Sequence, residues 1–215
     1  MAIVAAVYTP DTFLPTDEQT NEFLRDVSAA HLVTSTPNGL VSTFLPFLFR
    51  SQAGTRGSLV SHMARNNDHW QMDSTSDSLV IVTANDSYVT PSWYPSKKEH
   101  GRVVPTYNYM IAHVYGELIV HDDVDWLNRQ VRELSDRFES GRSNPWSVDE
   151  APDKYVQGQI LAIVGIEVVI NRVEAKFKMS QNRPSTDIDG VVTGLASDGL
   201  IAQSKAVEEL RPSDK

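Results

Sequence analysis

Apolar residues recur along the chain in two periods, which separate helical segments from extended ones. The segment "TDEQTNEFLRDVSAA" has helically spaced apolar side chains behind an acidic start, which predicts a first helix from about Asp17. The same period is longer in "DDVDWLNRQVRELSDRFES", where Asp122 or Asp123 can cap the helix. The apolar side chains that line one face of this second helix are Val124, Leu127, Val131, Leu134 and Phe138.

Runs rich in β-branched and aromatic residues predict the strands. "HLVTST" and "LVSTFLPFLF" flank the turn Pro37-Asn38-Gly39, a pattern typical of a hairpin, and "SLVSHM" follows the polar turn "RSQAGTRG". These three runs predict an antiparallel meander. Further along, "SLVIVTANDSYVT" predicts two strands around a tight Asn-Asp turn, "YMIAHVYGELIV" a long strand with a kink at Gly116, and "LAIVGIEVVINRVEAKFKM" a buried strand.

Shorter helical patterns lie between and after these strands. "ARNNDHWQM" and "APDKYVQGQI" each predict a short helix, and the last segment predicts two short helices broken at Ser197-Asp198-Gly199. The fold class is therefore mainly β with flanking helices (α+β). We expect a six- to seven-stranded antiparallel barrel with helices at its openings, in a single domain over 1–215 with a helical extension at about 184–211.

Composition and charge argue against several classes of function. The 215 residues carry a net charge of −9, which argues against a general affinity for DNA phosphates. The absence of cysteine excludes disulfides, zinc thiolates and thiol catalysis, and it fits the cytoplasm. The apolar run in "MAIVAAVYTPDTF" lacks the length and the basic flank of a signal or membrane span. We expect no metal site, because four histidines show no metal-ligand spacing: His31, His69, His113 and His121.

The segment "PSWYPSKKEHGRVVPTYNY", residues 91–109, concentrates aromatic, basic and proline residues. Prolines fix φ and lack an N–H, so the segment does not fit a helix interior or a central strand. From the residues alone, three explanations for its aromatic side chains stay open. These are contact with a ligand, contact with a partner subunit, and coverage by the rest of the chain.

Five segments resemble the PaiB-like family in order and spacing: "VYTPDTF", "SHMARNNDHW", "YVTPSWYPSKKEHGRVVPTYNYMIAHVYG", "APDKYVQGQILAIVGIEVVI" and "KFKMSQNR". The resemblance runs from Tyr8 to about Leu195. Members of this family are described as FMN-binding negative transcriptional regulators. The family is similar to the FMN-binding split-barrel group that includes pyridoxamine-phosphate oxidase. The resemblance therefore implies a split β-barrel that forms a homodimer with FMN at the subunit interface.

The resemblance implies a phosphate site in "SHMARNNDHW". Split-barrel oxidases hold the FMN phosphate with a Ser-Arg-Lys motif after the third strand, and Ser61, His62 and Arg65 match that place here. A strand end that leads into a helix start gathers backbone N–H groups, a hydroxyl and a guanidinium around one anion. The alternative is a capped helix with Arg65 in a surface ion pair.

The resemblance implies further cofactor contacts within residues 91–109. Trp93 and Tyr94 can pack on a flat ring system, Lys97 or Lys98 can balance phosphate charge, and His100 can donate near the flavin edge. Thr106 and Asn108 lie two residues apart on an incipient strand, so both side chains face either the cofactor or solvent. The alternative is a loop clamped to the neighbouring subunit.

One further segment and two departures from the family pattern bear on this resemblance. "KFKMSQNR" alternates polar and apolar residues; it lies either near the isoalloxazine or over the dimer partner, or else it is a half-buried edge strand. Where family members commonly read Thr-His-Leu-Pro, this chain has Phe44 in place of the histidine, and where they usually read Pro-Thr-Trp-Asn-Tyr it has Tyr107. The change at Phe44 removes a ligand, hydrogen-bond donor or proton carrier from the family pattern.

Three functions stay open. The first is an FMN-binding negative transcriptional regulator that acts indirectly, through a protein partner or a small molecule, because no helix-turn-helix signature accompanies the acidic charge. The second is a flavin-dependent oxidoreductase of a small molecule. For it no catalytic pair is assigned, and His100 is the local acid–base candidate. The third is a haem-binding split barrel with His62, His100 or His113 as the axial ligand.

Overall fold

The structure is a computed structural model that describes residues 7–212, so the apolar run at residues 1–6 lies outside the described residues. Its strands are β1 Ala29–Thr36, β2 Gly39–Pro46, β3 Leu48–Arg50, β4 Ser58–Ala64, β5 Ser78–Val89, β6 Thr106–His121 and β7 Ile163–Lys178. Its helices are α1 Asp17–Arg25, α2 Ser96–His100, α3 Val124–Glu139, α4 Asp153–Leu161, α5 Ser185–Ser197 and α6 Ile201–Glu209. Short 3-10 turns lie at Asp11–Phe13, Asp68–Gln71, Pro91–Trp93 and Val148–Glu150. Across residues 7–212, every helix is too short or too polar to traverse a bilayer.

The seven strands formed by residues 7–212 belong to one sheet, in the order β2-β1-β5-β6-β7-β4-β3. The registers of β1 with β2 and β5, and of β4 with β3 and β7, are all antiparallel. The strands at the two ends of this order, β2 and β3, are separated in the chain by the fully buried Phe47 alone. The seven-stranded antiparallel sheet with flanking helices confirms the predicted split-barrel fold class.

The predicted meander is interrupted within its second run, because Phe47 divides "LVSTFLPFLF" into β2 and β3. β1 and β2 form the expected hairpin, with Thr36 opposite Gly39 and a φ of 115° at Gly39 that residues with a side chain rarely adopt. β4 pairs with β3, the end of that run, as the meander predicts, and its other neighbour is β7. Apolar alternation indicates which face of a strand is buried, but it does not indicate which strand becomes its neighbour.

β5 and β6 are each one continuous strand. The predicted Asn-Asp turn does not reverse the chain, because Asn85 stays inside β5 at a φ of 53°, which asparagine tolerates. In β6, a Cβ at Gly116 would stand 2.1 Å from the carbonyl oxygen of Val169. Gly116 thus permits a close approach of two backbones.

The chain divides into two compact units. Unit 1 is the described part of Met1–Thr20, Thr83–Ala112 and Glu174–Lys215, and unit 2 is Asn21–Val82 and His113–Val173. The single domain over 1–215 stays a prediction.

Helix α3 belongs to unit 2 and begins as predicted. The side chain of its N-cap, Asp123, accepts a hydrogen bond from a backbone N–H of the first turn at 2.7 Å. Its two terminal apolar residues, Val124 and Phe138, are exposed, so the buried face is shorter than the predicted one. The side chains that α3 buries are Leu127, Gln130 and Leu134.

Unit 1 has its own core, in which α5 and α6 pack on residues that follow β5 and β7. The two helices are separated by Asp198, Gly199 and Leu200, which confirms the predicted pair of short helices. The buried members of this core are Val89, Tyr94, Met179, Ile188, Val191, Leu195, Ala206 and Val207.

Candidate functional site

The predicted site residues fall in both units. Ser61, His62 and Arg65 belong to unit 2, whereas Trp93, Lys97, His100, Thr106 and Asn108 belong to unit 1. Each set is therefore described by itself.

In unit 2, the expectation that Ser61 and His62 end a strand is wrong, because β4 continues to Ala64. Neighbouring residues of a strand face opposite sides, so the two side chains diverge. Ser61 is fully buried and its Oγ donates to the carbonyl oxygen of His62 at 3.3 Å. His62 is half-buried, and its Nδ1 lies 2.8 Å from Oε1 of Gln130, a buried residue of α3.

Burial lowers the pKa of His62 below its ordinary value, and the hydrogen bond to Gln130 opposes that shift only in part. With the amide oxygen of Gln130 as the acceptor, Nδ1 carries the proton and the neutral imidazole keeps its lone pair on Nε2. The side chain that selects this tautomer lies far from His62 in sequence, and no local motif indicates it.

Arg65 is engaged by the protein itself. Its Nη1 donates to Oδ2 of Asp122 at 3.1 Å, its Nη2 also reaches that carboxylate, and these bonds lower the pKa of Asp122. The guanidinium also donates to the carbonyl oxygens of Leu161 at 2.9 Å and Ile163 at 3.0 Å. The predicted helix after Arg65 is only the 3-10 turn Asp68–Gln71. The ion-pair alternative therefore describes the side chain in this structure, and the phosphate role stays a prediction.

In unit 1, residues 91–109 contain two short helical elements, which was not expected from three prolines. Pro91 opens the 3-10 turn and Pro95 precedes α2, so each proline stands where its missing N–H is not required. Gly101 ends α2 in the left-handed conformation, with a φ of 66°. Tyr94 is 2% exposed, so for this ring the rest of the chain provides the cover.

The other predicted residues of this segment have local partners. Trp93 is half-buried, and it packs so closely on α5 that a Cβ at Gly194 would stand 2.3 Å from its ring. Lys97 is exposed and its Nζ donates to Oγ of Ser92 at 3.2 Å. His100 is exposed, and its Nδ1 accepts from the backbone N–H of Arg102 at 3.0 Å.

A buried carboxylate that the sequence did not single out anchors the start of α2. Asp187, on α5, is 1% exposed and accepts two hydrogen bonds from Ser96. The backbone N–H of Ser96 donates at 3.1 Å and its Oγ donates at 2.7 Å. This contact ties the aromatic segment to the C-terminal helices.

Thr106 and Asn108 are the two predicted residues that the structure brings together with further polar groups. The Oγ1 of Thr106 accepts from Nζ of Lys178 at 2.6 Å, and Oδ1 of Asn108 accepts from Oγ of Ser180 at 3.1 Å. Asn108 is fully buried, and its Nδ2 has no hydrogen-bond partner among residues 7–212. Lys178 and Ser180 lie in "KFKMSQNR", where the alternation of polar residues was the signal for them.

Lys178 has an unusual electrostatic environment. Its pKa is lowered mainly by burial, and secondly by the positive charges of Arg183 and Lys176. Among residues 7–212 no carboxylate counters these effects on its pKa. Unit 1 therefore holds a half-buried ammonium among like charges, within a chain whose net charge is negative.

Comparison with known proteins places these features in a family. A family model described as "Putative FMN-binding domain" matches residues 7–172. An uncharacterized protein of Emericella nidulans is 33% identical over 217 residues, which covers 84% of this chain and 86% of that protein. "Protease synthase and sporulation protein PAI 2" of Bacillus subtilis is 27% identical over 194 residues, which covers 89% of this chain and 90% of that protein.

Solved structures agree on the fold. A conserved hypothetical protein of Mycobacterium tuberculosis matches with a TM-score of 0.54 at 13% identity, covering 83% of this chain and 94% of that one. The FAD and heme binding protein of Mycobacterium smegmatis matches with a TM-score of 0.53 at 18% identity, covering 76% and 71% of the two chains. At such low identity these matches show the fold alone. With the family match, they establish that this chain is a split-barrel member of the PaiB-like FMN-binding family.

Proposed function

We propose that this protein binds FMN at the interface of a homodimer and acts as a negative regulator of transcription in the PaiB sense. The observation that carries the proposal is the family match, because residues 7–172 include β1 to β6 and most of β7. The relative from Bacillus subtilis, named for protease synthesis and sporulation, supports the regulatory part.

Residues of unit 1 fit a cofactor that is rich in hydrogen-bond acceptors. Asn108 has a buried amide donor without a partner among residues 7–212, and Lys178 presents a half-buried ammonium beside Thr106. FMN has carbonyl oxygens on its ring system and oxygens on its phosphate, and both are acceptors. When bound, FMN supplies electron or hydride transfer, while these side chains bind and orient it and place positive charge near it.

The other predicted residues remain proposed cofactor contacts: Ser61, His62, Arg65, Trp93, Lys97 and His100. Of these, Arg65 would have to exchange the carboxylate of Asp122 for a phosphate. Such an exchange keeps the bidentate geometry of the guanidinium, because carboxylate and phosphate both accept paired N–H donors.

Haem is the second candidate cofactor, and one observation favours it. The hydrogen bond between Nδ1 of His62 and Gln130 leaves the lone pair on Nε2, which is the tautomer of an axial histidine ligand. The burial that lowers the pKa of His62 also keeps the imidazole neutral near neutral pH.

The absorbance spectrum of the purified protein tests the proposal, with and without prior incubation with FMN. We expect a flavin spectrum that stays with the protein through gel filtration. A Soret band would instead support haem. A spectrum with neither feature, after incubation with FMN, would overturn the FMN proposal.

We expect the regulatory effect to be indirect, through a protein partner or a small molecule. The chain carries 28 acidic against 19 basic residues, which disfavours direct binding to a phosphate backbone. A sequence-specific, salt-sensitive gel shift by the pure protein would contradict indirect regulation.

A further inference from the structure

Four polar side chains pair across β6 and the end of β7, and we call them the Lys178 ladder: Thr106, Asn108, Lys178 and Ser180. The side chain of Thr106 is hydrogen-bonded to Lys178, and that of Asn108 to Ser180. We call these two hydrogen-bonded pairs the first and second rungs of the ladder. Thr106 and Asn108 share a face of β6, because side chains two residues apart on a strand do so, whereas Ser180 follows the end of β7 at a φ of 69°. The first rung is half-buried and the second is buried, with Asn108 0% and Ser180 2% exposed.

The ladder has unused hydrogen-bond donors. A lysine ammonium has three N–H donors, and Lys178 uses two of them, on Oγ1 of Thr106 and the carbonyl oxygen of Tyr107. The third has no acceptor among residues 7–212. Nδ2 of Asn108, which is buried, likewise has no partner among these residues. Buried donors without acceptors are rare in folded proteins, because desolvation is not compensated.

In the part of the chain that the structure describes, the positive charge beside the ladder forms no ion pair with a carboxylate. Lys176 and Arg183 are close enough to Lys178 to act on it electrostatically. The described contacts of Lys176 are the carbonyl oxygen of Tyr8 at 3.1 Å and aromatic rings, and Arg183 lies over the ring of Tyr94, 4.7 Å from its centroid. Arg65, in contrast, is already paired with Asp122. The positive charge around Lys178 is thus available to an anion that comes from outside the chain.

We propose that the Lys178 ladder is a binding site for a phosphate group. A phosphate carries up to two negative charges and three acceptor oxygens, which match the unpaired cations and the unused donors together. The group has two sources, the phosphate of FMN and the phosphate of another small molecule. For the first source the inference rests on the proposed function, and the Lys178 ladder then takes the FMN phosphate in place of Arg65.

The test compares full-length wild-type protein with Lys178→Met and with Lys154→Met, an exposed lysine of α4 that serves as the matched control. Each protein is titrated with inorganic phosphate, FMN and riboflavin, by calorimetry and by flavin fluorescence. We expect wild type to bind phosphate, Lys178→Met to bind it at least about tenfold more weakly, and Lys154→Met to match wild type.

The flavins distinguish the two sources. If the phosphate of FMN occupies the ladder, wild type binds FMN more tightly than riboflavin, and Lys178→Met removes that preference. If wild type binds phosphate but neither flavin, the ladder binds another phosphate compound, and the proposed FMN function fails while the ladder stands.

Two outcomes would overturn the inference. One is a wild-type protein that binds no phosphate and does not distinguish FMN from riboflavin. The other is a Lys178→Met protein with wild-type affinity for phosphate and for FMN, which would leave the FMN proposal intact. Lys178→Arg retains the charge and is expected to retain phosphate binding. If Lys178→Met does not fold, Arg183→Gln replaces it, with a several-fold loss of phosphate affinity expected.

Discussion

Asp187 is the buried carboxylate that joins the aromatic segment to the C-terminal helices. We expect Asp187→Ala to lower the free energy of unfolding by about 1–3 kcal/mol, because the backbone N–H and the hydroxyl of Ser96 would be left buried without an acceptor. Urea denaturation followed by circular dichroism measures the change.

The matched control for that substitution is Asp189→Ala, two residues along the same helix. Asp189 is exposed and pairs with Arg211 at the surface, where an ion pair contributes about 0–1 kcal/mol. Equal losses in the two variants would contradict the role assigned to Asp187. Asp187→Asn retains one acceptor oxygen, so its loss should lie between the two alanine variants.

His62 links stability to pH. Burial lowers its pKa in the folded state below the ordinary value of 6.5, so protonation favours the unfolded chain. The free energy of unfolding is therefore highest above about pH 6.5 and is expected to fall as the pH drops below that value. Burial lowers the pKa of His69 as well, which adds to the same trend. Each histidine contributes at most about 1.4 kcal/mol per pH unit.

Substitution of His62 tests that link. We expect His62→Gln to flatten the pH dependence of the denaturation midpoint between about pH 5 and 6.5, a window above the titration of most carboxylates. His100→Gln, at an exposed position, is the control and should keep the wild-type slope. An unchanged slope in His62→Gln would show that His62 does not couple folding to protons.

At the scale of elements, α5 depends on two glycines that admit Trp93. A Cβ at Gly190 would stand 1.9 Å from the carbonyl oxygen of Trp93, and a Cβ at Gly194 would stand 2.3–2.5 Å from three of its ring atoms. Trp93 is therefore seated directly on the helix backbone. Such contact requires glycine, because any side chain would displace the ring.

Gly194→Ala should consequently destabilise the protein, by about 1–3 kcal/mol for an overpacked contact. The control is the same substitution at Gly158 in α4, where a Cβ meets nothing within 4 Å. There alanine should stabilise the protein by about 0.5–1 kcal/mol, because glycine is the poorer helix former. Thermal unfolding of both variants separates crowding from helix propensity, and a stabilised Gly194→Ala would mean that Trp93 can move at no cost.

Elements with strong local signals were predicted well. α1 begins at Asp17 and α3 follows its Asp123 cap, because capping and apolar spacing act over a few residues. The sequence predicts a short helix after Arg65, but the structure has only one 3-10 turn there. The turn predicted inside β5 is also wrong, because β5 is one strand. In β5 the polar pair Asn85-Asp86 favours a turn locally, but both residues stay within the strand.

For the whole molecule, the proposed homodimer predicts a solution mass of twice 23.9 kDa. Leu40 and Phe44 support such an interface, because both are large apolar side chains, 76% and 62% exposed, on one face of β2. Phe44→Ser is expected to shift light-scattering masses toward the monomer at low concentration. Tyr155→Ser, 61% exposed on α4, is the control. A monomeric wild-type protein would contradict the dimer.

The sequence predicts only some of the contacts that the candidate cofactor residues make. Thr106 and Asn108 were expected to face one way, and the structure joins them to Lys178 and Ser180. Arg65 was expected to be open to a ligand or paired at the surface, and Asp122 is its partner. The sequence shows that a guanidinium is present, but the partner that neutralises it comes from a residue 57 positions away.

The sequence by itself determined the family, the two strong helices, the first hairpin and the C-terminal helix pair. All of these depend on motifs or on interactions within a few residues, which a linear pattern records. Only the tertiary structure decided that β4 pairs with β7, that Asp187 holds Ser96 and that Lys178 meets Thr106. The last two contacts join residues 91 and 72 positions apart. Which distant groups meet depends on the packing of the whole chain, and local periodicity carries no information about it.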